Sequence, residues 1–163
     1  MKLTAAQLEE FNEQGYLFLP NAFSAAEMDI LNAEVPGILA TRREEVIREK
    51  GSDAPRSAFY VQTWNPVYER LARHPRLVEP GMQILGSDKL YMHQFKINAK
   101  AAFDGAVWQW HQDFGTWYED DQMPEPRAMN IALFLAEANA FNGPLMFIPK
   151  SHRRGRLQAG HDV

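Results

Sequence analysis

A chain of 163 residues can form one domain with its own core, and 45% apolar with 23% charged residues exclude a disordered segment. The net charge of -4, with both signs mixed in the densest charged run (residues 42–50), offers no basic face for nucleic acid, and the absence of cysteine excludes disulfides, thiolate metal sites and cysteine nucleophiles. No run approaches the roughly 18 apolar residues of a membrane span and the N-terminus lacks an apolar signal core, so we expect a cytoplasmic protein with no membrane partner.

Thr4-Ala5-Ala6-Gln7 has the form of a capping box and predicts a helix with Leu3, Leu8 and Phe11 along one side, stopped at Gly15. Residues 16–20 read as a short strand ending at Pro20. A second box, Ser24 with Glu27, opens a helix carrying Met28, Leu31, Val35 and Ile38, which Pro36 is expected to kink or divide. Residues 51–58 read as a loop, and residues 66–85 as two helical pieces broken near His74-Pro75. Beyond Gly86 the texture turns to strands: residues 90–100, 106–111, 129–135 and 145–148, with Asp104-Gly105 as a hairpin signal. The order predicts an α+β domain on an antiparallel sheet, with residues 1–86 mainly helical and residues 87–163 forming the strands.

The sharpest chemical feature is Trp108-Gln109-Trp110-His111-Gln112-Asp113. On a strand, residues i and i+2 share a face, so His111 and Asp113 can converge on a metal as two legs of a 2-His-1-carboxylate facial triad. The plain alternative is a His–Asp hydrogen bond at a strand end. Trp108, Trp110, Phe114, Trp117 and Tyr118 surround the pair with aromatic side chains, as in an apolar pocket or simply a core. Gln94, Lys96, Asn98 and Lys100 fall on one strand face, either as donors for the carboxylates of a small acid or as a solvated face.

Four stretches in order carry a family resemblance: residues 93–98 (HQFKIN), 110–117 (WHQDFGTW), Met123-Pro124, and 142–152 (NGPLMFIPKSH). Residues 91–152 resemble the phytanoyl-CoA dioxygenase family of Fe(II)/2-oxoglutarate oxygenases, most nearly its ectoine-hydroxylase-like members. The resemblance implies a cupin-like double-stranded β-helix, or jelly roll, with helices packed outside. It makes His111 and Asp113 iron ligands. It places Gln94, Asn98, Asn130 and Trp108 at the 2-oxoglutarate cosubstrate, and Trp117, Lys96 and Phe114 at the substrate. The implied reaction uses O2, turns 2-oxoglutarate into succinate, and hydroxylates a C–H bond of a small polar metabolite, ectoine or amino-acid-like.

The chain departs from the ectoine-hydroxylase-like pattern at Gln112, Gly115, Tyr118 and Lys96, where those members have Ser, Glu, His and Arg. The Lys for Arg exchange removes a bidentate fork. The family's distal histidine ligand and its 2-oxoglutarate arginine have no convincing counterpart here. His152 reads as a turn histidine, His161 as part of a tail, and Arg153, Arg154 and Arg156 as a solvated turn. The jelly roll is accordingly expected to be incomplete at the C-terminus, with a missing segment or a homodimer partner supplying the rest. The rival expectations are a non-catalytic half-domain acting as a binding module, and a cupin-like metal enzyme that does not use 2-oxoglutarate.

Overall fold

The computed structural model describes residues 1–99, 109–139 and 142–157. Both capping boxes form. Thr4 accepts from the Gln7 N–H while the Gln7 side chain returns to Thr4, opening α1 (Ala5–Gln14); Ser24 and Glu27 do the same for α2 (Ala25–Ala40). Gly15 ends α1 in the left-handed region at φ 86°, where a side chain would be strained. Pro36 does not divide α2, which runs on through it to Ala40. Its missing N–H forfeits one helical bond, and Leu31 and Ile38 on either side of it stay buried in the core.

Residues 46–59 form a hairpin in place of the expected loop over 51–58: β1 (Val46–Arg48) pairs antiparallel with β2 (Pro55–Phe59), which pairs antiparallel with β3 (Lys96–Asn98). The mixed charges of this region stitch the hairpin through the Arg42–Asp53 and Arg56–Glu49 pairs. Arg48 donates to the carbonyls of Leu39, Thr41 and Asp53, joining the end of α2 to the turn. A short 3-10 turn (Val61–Thr63) follows. Then come α3 (Pro66–Ala72) and α4 (Pro75–Leu85), broken at the expected place, where the His74 imidazole caps α4 by accepting from the Arg76 N–H.

The core lies between the sheet and α2 and α3. It comprises Phe23, Leu31, Ile38, Val46, Ala58, Val61, Tyr68, Leu71 and Ile97. Tyr68 is 1% exposed and donates its hydroxyl to Leu31 O at 3.3 Å; burial pushes this phenol up to about 12. Arg76 ties α4 to α2 by pairing with Glu27, donating to Ala22 O at 2.6 Å and lying 4.4 Å over the Phe23 ring. That guanidinium, helped by the Ser24 N–H and hydroxyl, holds the Glu27 carboxyl at about 2.

Several expected strands do not form ladders. Residues 16–20 are not a strand; Tyr16 instead stacks on Phe147 at 5.2 Å. Within 90–100 only β3 pairs, and residues 109–111, 129–135 and 145–148 join no ladder among the described residues. Leu133 and Leu135 nonetheless pack on the core, while Phe134 between them is 44% exposed, which is the alternation of a half-buried strand. The Asp104-Gly105 hairpin signal lies outside the described residues. The architecture is therefore α+β with a small antiparallel sheet, and the described residues do not close into a double-stranded β-helix. No described helix is long and apolar enough to cross a membrane.

A 3-10 turn over Ser151–Arg154 docks onto the end of α1. The Lys150 N–H donates to Gln14 O at 2.8 Å, and His152 Nε2 and Arg153 donate to Asn12 O at 3.0 and 2.9 Å. Helix ends leave carbonyls without partners and attract positive charge, so this basic turn satisfies α1. His152 is thus a structural cap, and Arg153, exposed on this turn, adds a second bond to the same carbonyl.

Candidate metal centre

His111 lies just ahead of the helix α5 (Asp113–Glu119), and Asp113 is its first residue. The expected strand geometry is replaced by an extended residue, Gln112 (φ -107°, ψ 125°), leading into a helix. The two side chains still converge: His111 Nε2 is 3.1 Å from Asp113 Oδ1. On α5, Asp113 and Trp117 are four residues apart and share one face.

Each of the two side chains is held from behind. His111 Nδ1 lies 2.6 Å from the Gln109 carbonyl, which can only accept, so Nδ1 carries the proton. In the neutral ring Nε2 then presents a lone pair to a carboxylate oxygen, an arrangement that calls for a proton or a cation between them. Asn130 Nδ2 donates to Asp113 Oδ2, leaving Oδ1 to face the imidazole. Such outer partners orient metal ligands.

The donor set fits a divalent first-row metal. Two donors in adjacent octahedral positions, with bonds of about 2.1 Å, sit about 3 Å apart, close to the separation seen here. The pair is half-exposed, at 47% and 42% of its side-chain surfaces, and so accessible to a metal ion. Among the described residues no third His, Cys, Asp or Glu joins it.

The remaining candidates are dispersed. Lys96 and Asn98 occupy the outer face of β3, Asn98 Oδ1 accepting from Ser57 Oγ at 2.9 Å and Lys96 Nζ lying 5.9 Å over the Phe59 ring. Gln94 is exposed ahead of β3. Trp117 meets the His93 ring edge-on at 5.7 Å, and His93 Nε2 is 3.1 Å from Asp121 Oδ2. Phe114 packs on Tyr118 at 5.9 Å, and Trp110 is 52% exposed, so the aromatic side chains among the described residues leave the pair half-exposed. Trp108, Lys100 and His161 lie outside the described residues.

Sequence reasoning missed the Gln109 carbonyl behind His111, since a backbone group leaves no compositional trace. It also missed the contact of Asn130 with Asp113, 17 residues apart, and the His93–Asp121 pair.

The described residues form an α+β scaffold that brings the His111 and Asp113 side chains together. The phytanoyl-CoA dioxygenase (PhyH) family profile matches residues 11–162, and the chain belongs to that family. It is 44% identical over 158 residues to the ectoine dioxygenase of Bordetella bronchiseptica, covering 93% of this chain and 50% of the relative. It is 41% identical over 148 residues to the L-proline trans-4-hydroxylase of Streptomyces griseoviridis, covering 91% and 55%. The apoform crystal structure of EctD from S. alaskensis superposes with a TM-score of 0.87 at 38% identity, over 93% of this chain and 55% of that one. Structures of the same protein with bound Fe, and with 2-oxoglutarate and 5-hydroxyectoine, superpose with TM-scores of 0.72 at 35% identity, each over 77% of this chain, and over 46% and 45% of their own chains. The chain spans about half the length of the curated relatives it matches.

Proposed function

We propose that His111 and Asp113 hold Fe(II) in a 2-oxoglutarate-dependent oxygenase that hydroxylates a C–H bond of a small polar metabolite, ectoine or a cyclic amino acid. The observation that carries this reading is the His111 Nε2 to Asp113 Oδ1 approach with each residue fixed from behind by Gln109 O and Asn130. The relatives named ectoine dioxygenase and proline hydroxylase, and the EctD structures with Fe and with 2-oxoglutarate, support the cofactor and the substrate class.

When bound, iron supplies O2 activation coupled to decarboxylation: 2-oxoglutarate, O2 and R–H yield succinate, CO2 and R–OH. The protein's part is placement. His111 would hold the iron through Nε2, its Nδ1 proton kept by Gln109 O, and Asp113 would hold it through Oδ1. Trp117, one helical turn beyond Asp113, forms a wall of the substrate pocket with Phe114 and Lys96. Gln94, Asn98, Asn130 and Trp108 serve the cosubstrate. The jelly roll of the family supplies the enclosure. The one ammonium and three carboxamides of this set, Lys96, Gln94, Asn98 and Asn130, suit a carboxylate-bearing metabolite rather than a long acyl chain.

The test is succinate release with Fe(II), 2-oxoglutarate and O2, comparing ectoine and L-proline with a long-chain acyl-CoA. Stimulation by the small metabolites alone is expected. Stimulation by the thioester alone overturns the substrate class, and turnover that does not require 2-oxoglutarate overturns the reaction.

A further inference from the structure

Gln112 stands between the two proposed ligands and is the N-cap residue of α5, yet its side chain makes no cap bond. Its carboxamide reaches 43 residues along the chain instead. Nε2 donates to Gly155 O at 3.1 Å, and Oε1 accepts from the Leu157 N–H at 2.8 Å. Both polar groups of one amide are thus satisfied by the backbone of one segment, much as a neighbouring strand would satisfy them.

Arg156, the residue between those two contacts, holds the other end of the same helix. Its guanidinium pairs with Glu119 and lies 4.5 Å over the Tyr118 ring. Residues 155–157 therefore grip α5 at its first and its last turn. Gln112 and Tyr118 are also two of the four positions at which the chain departs from the ectoine-hydroxylase-like pattern, and both meet this one segment.

We infer that Gln112 is a positioning residue for the metal pair: by bonding to Gly155 and Leu157 it fixes the peptide between His111 and Asp113, and with it the separation at which their donors meet. The inference rests on the metal reading above. His111 lies outside the helix, so helical bonding does not hold its backbone. The side-chain carboxamide of Gln112 ties the residue that follows His111 to residues 155–157, while its backbone carbonyl, accepting from the Gly115 N–H at 2.9 Å, ties the same residue to α5. Two donors held at the binding distance lose less conformational freedom on taking up a metal, and affinity rises accordingly. Ala at this position removes both bonds. Glu keeps the acceptor for the Leu157 N–H but sets a carboxylate oxygen against the Gly155 carbonyl.

The experiment uses the full chain and Co(II) as the probe, with hydrogen exchange of the Leu157 amide followed in the metal-free protein. Gln112→Ala, Gln112→Glu and Arg156→Ala are compared with Lys150→Ala, which loosens the C-terminal turn from Glu13 of α1 and leaves the α5 contacts alone. We expect a protected Leu157 amide in the native chain, its protection lost in Gln112→Ala, and Co(II) binding weakened about tenfold in that variant. Gln112→Glu should fall between, and Lys150→Ala should bind as the native chain does. If Gln112→Ala does not fold, the Glu and Arg156 variants carry the same comparison. Native affinity in the Gln112 variants, an unprotected Leu157 amide in the native chain, or an equal loss in Lys150→Ala overturns the inference while leaving the metal reading intact. A native chain that takes up no Co(II) overturns that reading, and the inference with it.

Discussion

His111 Nε2 approaches Asp113 Oδ1 to 3.1 Å while Nδ1 of the same ring is held by the Gln109 carbonyl at 2.6 Å. A metal there competes with a proton, because it needs the neutral imidazole and the ionised carboxylate. Fe(II) affinity, titrated anaerobically, should therefore fall as pH is lowered. A pH-independent affinity would place the metal on other groups.

Asn130 donates to the second oxygen of Asp113, so Asn130→Ala should weaken Fe(II) binding by about 10–100-fold, the usual cost of losing a partner behind a metal ligand. Titrating 2-oxoglutarate into the iron-loaded variant separates two roles. Lost iron affinity marks Asn130 as a partner of the carboxylate, whereas intact iron affinity with lost cosubstrate affinity returns it to the role the family resemblance assigns.

Gly15 joins a left-handed backbone to a close contact, since a Cβ there would collide with the His152 imidazole. Gly15→Ala should cost about 1–2 kcal/mol from the backbone alone, and more from the collision. Urea unfolding of the double variant Gly15→Ala/His152→Ala should show non-additivity, the second change relieving the collision but not the backbone strain.

Two groups contribute to the pH dependence of the fold in opposite ranges. Glu27 is held at about 2 by Arg76, below its ordinary 4.5, so its stabilisation is present above 4.5 and disappears as pH falls from there towards 2. Tyr68 is raised from 10.0 to about 12 by burial, so the unfolded chain ionises first and stability drains as pH rises through that interval. In thermal unfolding across pH, Glu27→Gln should flatten the acid arm and Tyr68→Phe the alkaline arm, the latter at about 1 kcal/mol for its hydroxyl bond.

Where physics is local, the sequence was legible. Thr4, Ser24 and Gly15 mark helix ends through their own backbone and the next turn, and His74-Pro75 breaks a helix where proline forbids continuation. The β1–β2 hairpin was not legible, because its strands are short and carry arginines, with Val46 and Ala58 as their apolar contributions to the core. Residues 129–135 and 145–148 show why a pattern is not a ladder: their apolar character is plain, but a strand is made by a partner. His111 and Asp113 do meet, but not on the expected strand, since Asp113 opens a helix. The contacts behind the pair, from Gln109 O, Asn130 and Gln112, involve backbone atoms or partners as much as 45 residues away, which no local pattern encodes.

The most direct measurement is an anaerobic titration of Fe(II) followed by 2-oxoglutarate into the native chain and into Asp113→Ala, watching the visible charge-transfer absorbance of the iron and 2-oxo acid chelate. The account predicts the band in the native chain and its loss in Asp113→Ala. No band in the native chain, or an equal band in both, would contradict the assignment of His111 and Asp113 as the metal-binding pair.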